Sequence, residues 1–287
     1  MDIRALLAEA QSLLATAGVT SSGVDAEILL ATVSETSRGE LLAAAYRGES
    51  VGDEALEKFR ELLARRQARE PLQHITGRAP FMNFEVAVGP GVFVPRPETQ
   101  SLVEAAINQA LASGVGERGL RILDLCSGSG VVAISLARAL PYARVVAVEM
   151  SEAALPYLRT NVVLLAPEVE VVHSDVVSYG AALEAGSVDM VLANPPYVPD
   201  SEVPNELEVA THDPALALFG GEDGLRVVRD VVALALKALR PGGYLAIEHS
   251  NLQGDVVREL FLSAGFRAIS TEVDLVGRDR FTQGFIP

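Results

Sequence analysis

Apolar residues in the first seventy positions recur at helical spacing. Leu6, Leu7, Ala10, Leu13 and Leu14 form one stripe, and Gly18 stops it. The pattern predicts a second short helix over Asp25 to Val33 and a third over Glu40 to Tyr46. A fourth begins at Asp53, with Leu56, Phe59, Leu62 and Leu63 on its apolar face and Pro71 as its terminator. Strand-like alternation is absent, so this stretch reads as a small helical domain that packs on itself.

After Pro71 the pattern changes. Phe81, Phe84, Val86 and Val88 alternate, Gly89-Pro90-Gly91 follows, then Val92-Phe93-Val94. This predicts a hairpin turning at the Gly-Pro-Gly step, acting as a connector between domains. Pro95-Arg96-Pro97 stiffens its exit into a helix over Glu98 to Ala112. From Arg121 onward, short apolar runs alternate with helical segments. The strands are Arg121 to Leu125, Val145 to Val148, Val169 to Val172, Val188 to Leu192 and Tyr244 to Ile247. The helices between and after them are Val131 to Leu140, Ala153 to Leu165, Leu225 to Leu239 and Val256 to Ala264. Near-continuous apolar strands separated by helices predict an α/β fold with a parallel sheet covered on both faces.

Composition narrows the function classes. Of 287 residues, 49% are hydrophobic and 21% charged, which excludes an intrinsically disordered chain. Acidic residues outnumber basic ones, 38 to 23, for a net charge of −15, the wrong sign for a general grip on nucleic-acid phosphates. One cysteine excludes an internal disulfide and a cysteine-cluster metal site, and the four histidines lack zinc-ligand spacing. No run reaches the ~18 apolar residues of a membrane span. Met1-Asp2-Ile3-Arg4-Ala5 lacks the design of a secretion signal, so the expected location is the cytoplasm.

Two motifs carry candidate chemistry. Asp124-Leu125-Cys126-Ser127-Gly128-Ser129-Gly130 joins a strand to a helix, where glycines let a ligand approach the backbone at a helix N-terminus. About 20 residues on, as in nucleotide-binding folds, Glu149 ends the next strand, where a carboxylate can accept hydrogen bonds from both ribose hydroxyls. The spacing is not GxGxxG, and no G-x-x-x-x-G-K-[ST] loop is present, which speaks against a dinucleotide and a triphosphate. The second motif, Asn194-Pro195-Pro196-Tyr197, follows the fourth strand. Its prolines stiffen the backbone and supply no N–H. The Asn194 side-chain oxygen and the Pro195 carbonyl remain as two acceptors suited to an NH2 group, and Tyr197 can cover a planar group. A rigid turn without chemistry is the alternative reading.

This set of motifs resembles the class I S-adenosylmethionine-dependent methyltransferases that act on planar amino groups. Further segments resemble the peptide chain release factor glutamine methyltransferases, the PrmC/HemK family, over essentially the whole chain. These are Glu70 to Gly77 (EPLQHITG), Val94 to Thr99 (VPRPET), Asp213 to Gly221 (DPALALFGG), Leu239 to Gly243 and Gly277 to Phe281. The resemblance implies a class I, Rossmann-like methyltransferase domain with a mostly parallel twisted sheet, over 97–287. A helical N-terminal domain over 1–72 would serve release factor docking, with the β-hairpin connector over 73–96. It implies S-adenosylmethionine as cofactor, S-adenosylhomocysteine as product, and methyl transfer to the glutamine N5 of a Gly-Gly-Gln loop in a class I release factor. No nucleic-acid or membrane partner is expected; adenine N6 methylation of DNA or RNA is the alternative.

Residue by residue, the resemblance places Asp124, Cys126, Ser127, Gly128, Ser129, Gly130, Glu149, Asp175, Val176 and Asn194 at the cofactor. It places Asn194, Pro195, Pro196 and Tyr197 at the substrate. Cys126 stands where the pattern usually has its first glycine; a small residue at negative φ is expected there. Glu98 is expected either to cap its helix or to line the substrate mouth. The histidines are expected to have structural or surface roles. The basic run Arg60 to Arg69 reads as a solvated face or as part of a docking surface.

Overall fold

The computed structural model describes residues 1–113, 119–204, 206–274 and 276–287. The chain divides into two compact units, one of Met1–Arg78 with Pro204–His212, the other of Ala79–Val203 with Asp213–Pro287.

The smaller unit is helical. Helices α1 (Ile3–Thr16), α2 (Ser22–Val33), α3 (Arg38–Tyr46), α4 (Asp53–Gln67) and the short α5 (Leu72–Thr76) enclose Leu6, Ala10, Leu14, Leu29, Leu30, Phe59 and Leu63. Leu13, expected on the apolar stripe, is exposed. Asp2 caps α1, and Ser37 with Glu40 forms a capping box on α3. The helix α4 ends before Pro71, at Gln67, because Arg69 takes a positive φ of 67°. The helix α5 was not foreseen, since five residues are too few to display a period.

The larger unit begins at Ala79, and there β1 (Arg78–Phe81, its first residue counted with the helical unit) and β2 (Phe84–Ala87) form a two-stranded hairpin. Its turn is Met82-Asn83 and not the expected Gly89-Pro90-Gly91, and Val92 to Val94 is not a strand. Gly89 instead serves a close approach, since a Cβ there would lie 2.3 Å from the Tyr157 hydroxyl. The hairpin is part of this unit's core: Phe81, Val86, Val88, Val92 and Val94 are buried with Ile134 and Leu158.

The remaining elements are α6 (Thr99–Ala112), β3 (Leu120–Leu125), α7 (Val131–Ala139), β4 (Ala143–Glu149), α8 (Leu155–Leu165), β5 (Glu170–His173), α9 (Val176–Ala182) and β6 (Val188–Ala193). They continue through α10 (Leu207–His212), which belongs to the helical unit, then α11 (Ala215–Leu218), α12 (Arg226–Ala238), β7 (Leu239–Glu248), α13 (Gly254–Ser263), β8 (Arg267–Val273) and β9 (Asp279–Phe285). The seven-stranded sheet has the order β5-β4-β3-β6-β7-β9-β8. Strands β3 to β7 are parallel, and β9 runs antiparallel to both β7 and β8. Two apolar layers sandwich it, so its central strands are buried on both faces, as their near-continuous apolar runs require. The strand order reverses between β3 and β6, the place where open α/β sheets bind ligands at their carboxyl ends. Among the described residues no helix is long and apolar enough to cross a membrane.

Candidate active site

Leu125, the last residue of β3, pairs with Ala193, the last residue of β6. The glycine-rich loop and Asn194 therefore leave neighbouring strands at the same end, on either side of the reversal. Glu149 ends β4 on the other flank, where Val148 pairs with Leu125.

The loop is shaped by hydrogen bonds. Ser127 N–H donates to the Val148 carbonyl at 3.1 Å, and Gly130 N–H to the Ser127 carbonyl at 2.8 Å. The buried Asn161 amide donates to the Ser129 carbonyl at 2.9 Å and also pairs with the Ala87 backbone, tying the loop to the hairpin. Glu149, buried, accepts from Gly128 N–H and Ser151 N–H, each at 2.7 Å. A carboxylate has about four lone-pair sites, so two remain for further donors. Gly128, at φ +55°, has nothing within 4 Å of an added Cβ, so open space lies over the loop. Acceptors beside a glycine-lined opening fit a ribose and its attached chain.

Cys126 corrects one expectation: its φ is +61°, in the left-handed region, and not negative. The usual glycine would hold that conformation without strain; cysteine holds it at a cost of about 1–2 kcal/mol. Its thiol packs with the layer containing Val176, and burial, with Glu149 and Asp124 nearby, pushes its pKa up, so it is not a nucleophile at neutral pH. Asp124 lies beneath the loop. One carboxyl oxygen accepts from Ala133 N–H in the first turn of α7, and complete burial raises its pKa to about 7.

The second motif is clamped from behind. Val198 N–H donates to the Leu218 carbonyl and Gly220 N–H to the Val198 carbonyl. Gln253 donates to the Tyr197 carbonyl at 2.9 Å. Gly220 is indispensable to this packing, because an added Cβ would sit 2.5 Å from the Pro196 oxygen and 2.4 Å from the Gly224 oxygen. Gly220→Ala is expected to destabilise the larger unit by about 1–3 kcal/mol and to lower activity in step. Thermal unfolding with a parallel assay checks this, and an unchanged melting temperature would contradict it. Pro195 and Pro196 are buried, while Asn194 and Tyr197 remain partly open. Asn194 donates through Nδ2 to the Thr99 hydroxyl at 3.2 Å, a bond that does not use its acceptor Oδ1. Burial, with Glu248 nearby, raises the Tyr197 pKa, keeping its phenol neutral.

Residues 5–77 match the family described as PrmC N-terminal domain, and residues 99–212 match the methyltransferase small domain. A release factor glutamine methyltransferase from Mycolicibacterium smegmatis is 44% identical over 281 residues, covering 97% of this chain and 96% of that protein. Another, from Streptomyces coelicolor, is also 44% identical, covering 96% of this chain and 95% of that protein. The chain belongs to the release factor glutamine methyltransferase family. A solved T. thermophilus 16S rRNA N2 G1207 methyltransferase, in complex with AdoMet and guanosine, matches at TM-score 0.51 and 24% identity. It covers 73% of this chain and 50% of that chain, and the likeness shows the fold alone.

Within this release factor glutamine methyltransferase fold, the remaining expected residues fall as follows. Asp175 caps α9, accepting from Ser178 N–H at 2.8 Å, and Val176 is buried behind it; both follow β5, the strand beside Glu149. Glu98 stands at the N-cap of α6 but makes no capping bond; its carboxylate lies 3.4 Å from Arg278 instead. Arg96 pairs with Asp213 at 3.0 Å and lies over the Phe93 ring. His249 is buried and bonded to the Ser250 carbonyl and the Thr282 hydroxyl, a structural role. The basic run is largely occupied within its own unit: Arg65 pairs with Glu70, Arg66 with Asp25 and Glu208, and Arg69 with Glu208. Sequence reasoning gave no site role to Gln253 or Glu248, nor to Thr99 and Gly220, which it met only as parts of the VPRPET and DPALALFGG segments. For Glu248 a signal existed, since an acidic residue closing an apolar strand is the same feature that singled out Glu149.

Proposed function

We propose that this chain transfers a methyl group from S-adenosylmethionine to the side-chain amide nitrogen of the glutamine in the Gly-Gly-Gln loop of a class I peptide chain release factor. The observation that carries this reading is the pairing of Leu125 with Ala193, which sets the Asn194-Pro195 acceptors beside the glycine loop. The full-length likeness to release factor glutamine methyltransferases supports the substrate. When bound, S-adenosylmethionine supplies a methyl carbon activated by a sulfonium.

An amide nitrogen is a poor nucleophile because its lone pair is delocalised into the carbonyl. Asn194 Oδ1 and the Pro195 carbonyl would accept the two N–H bonds of the glutamine, holding the nitrogen toward the methyl carbon. These oxygens also stabilise positive charge as it develops on nitrogen, which lowers the barrier more than it strengthens ground-state binding. The proton leaves after methylation, since an N-alkylated amide cation is very acidic, so no strong base is needed beside the motif. Tyr197, neutral, covers the planar carboxamide. Gly128, Ser129 and Gly130 would hold the cofactor, and the free lone pairs of Glu149 would accept from its ribose hydroxyls. The helical unit is assigned to release factor docking.

The test is methylation with labelled cofactor of a release factor, its Gln→Ala loop variant and bare DNA. Label in the first alone supports the reading; label in DNA, or nowhere, overturns it. A further expected result concerns the cofactor alone. Glu149→Ala removes two charge-assisted acceptor positions and leaves Gly128 N–H without its partner. Calorimetry should show S-adenosylmethionine affinity reduced roughly 10- to 100-fold, and an unchanged affinity would remove Glu149 from the cofactor site.

A further inference from the structure

Ala193 pairs with Ile247 in the parallel β6–β7 register, so Asn194 and Glu248 are the next residues along neighbouring strands. Glu248 also faces Phe281 across the antiparallel pair with β9. It is 1% exposed, and among the described residues its Oε2 has no hydrogen-bond partner. An incompletely satisfied buried carboxyl is costly, on the order of 1–3 kcal/mol or more. Neither cofactor binding nor the acceptor pair, as described above, uses it.

The geometry of Asn194 gives it a use. A carboxamide carries two N–H donors on one side and an acceptor on the other, and a 180° flip exchanges them. Only the orientation with Nδ2 inward leaves Oδ1 free to accept from a substrate NH2. Thr99, 2% exposed, takes the Nδ2 donor at 3.2 Å, but a hydroxyl both donates and accepts and so tolerates either orientation. An ionised carboxylate only accepts. We propose that Glu248 is a positioning residue that holds the Asn194 amide with its oxygen toward the substrate. This rests on the reading of Asn194 as a substrate acceptor.

The charges around Glu248 set when it can do so. Complete burial raises its pKa, the Thr99 hydroxyl, Arg280 of β9 and the Asn194 amide lower it, and Glu98 ahead of α6 raises it, leaving it at about 7. Arg280 is itself paired with Asp274, and Tyr197, kept neutral by burial, lies near Glu248. Below about pH 7 the carboxyl gains an O–H that can donate to Asn194 Oδ1 and stabilise the unproductive flip. Above it, the carboxylate accepts only. Turnover should therefore fall with decreasing pH below about 7 and level off above it.

The experiment measures kcat for methylation of an intact release factor by the full chain between pH 5.5 and 9, with S-adenosylmethionine affinity by calorimetry. Wild type, Glu248→Gln, Glu248→Ala and Asn194→Ala are compared. Glu248→Gln keeps size but offers a permanent donor. It should lower kcat about tenfold at pH 8, the equivalent of one ordinary hydrogen bond, and flatten the acid limb, with cofactor affinity within about twofold. Glu248→Ala, which offers neither donor nor acceptor, should flatten it too. A wild-type profile with no acid limb, or a Glu248→Gln profile identical to it, overturns the proposal. So does a loss of cofactor affinity parallel to the loss of kcat, which would mark a merely structural group. The Asn194→Ala arm separates the two readings. If it turns over normally, the acceptor reading fails; if it is inactive while Glu248→Gln behaves as wild type, only the role of Glu248 fails.

Discussion

Asn194→Ala should lower methyl transfer to a release factor by about 10²- to 10³-fold, the usual effect of removing one group that stabilises developing charge. Affinity for S-adenosylmethionine should stay within about threefold. The loop that would hold the cofactor is shaped by Val148, Glu149 and Asn161, and none of these bonds involves Asn194. The fold at this corner should persist, because its backbone is clamped by Val198, Gly220 and Gln253 and not by the Asn194 side chain. Asn194→Asp makes a sharper comparison. It keeps an acceptor but loses the donor to Thr99 and sets a second carboxyl beside buried Glu248, which already carries a raised pKa. Its turnover should lie between wild type and the alanine variant and should worsen with rising pH as like charges meet. Steady-state kinetics with labelled cofactor, paired with calorimetry, decide the matter. An alanine variant retaining more than a tenth of wild-type turnover would remove Asn194 from the reaction.

The parts of this site legible in the sequence are those that interrupt a strong pattern. Strands β3, β4 and β6 are six or seven residues long and largely apolar, so the glycines, the acid and the Asn-Pro-Pro step that end them stand out. The terminal strands β8 and β9 did not, because Arg267–Val273 and Asp279–Phe285 are largely polar and pair antiparallel at the sheet edge. The hairpin turn was misplaced because Gly-Pro-Gly is the stronger turn signal, whereas the chain turns at Met82 with a positive φ of 49° and no glycine. The roles of Thr99 and Gly220, inside segments that carry the resemblance, were beyond reach for another reason. Their roles come from contacts with Asn194 and Pro196, more than twenty residues away in each case, and no local spacing encodes them.

Arg66→Ala tests the other such long-range arrangement and should be the most destabilising of these changes. Arg66 and Asp25 are 6% and 3% exposed and pair at 2.7 Å between α4 and α2. Arg66 also donates to the Glu70 carbonyl and, at 2.9 Å, to Glu208, which Arg69 grips with two further hydrogen bonds. Removing the guanidinium strands the Asp25 carboxylate in a buried position, at a cost of about 3–5 kcal/mol. Glu208 belongs to the Pro204–His212 segment, which departs from the chain after the Asn-Pro-Pro-Tyr corner and joins the helical unit, so the loss should loosen that segment as well. Hydrogen exchange should show reduced protection in α2, α4 and α10, with the central sheet strands little changed. Equal protection in wild type and variant would refute the buried pair as a source of stability. Acid should act on the same cluster. Burial favours the neutral form of Glu208, but hydrogen bonds from Arg69 and Arg66 outweigh it and bring its pKa from the ordinary 4.5 down to about 2. A carboxyl depressed by folding stabilises the fold above its unfolded value, and that contribution is lost as pH falls through the folded one. The helical unit should therefore lose stability between about pH 4.5 and about 2, and Glu208→Gln should lessen that dependence.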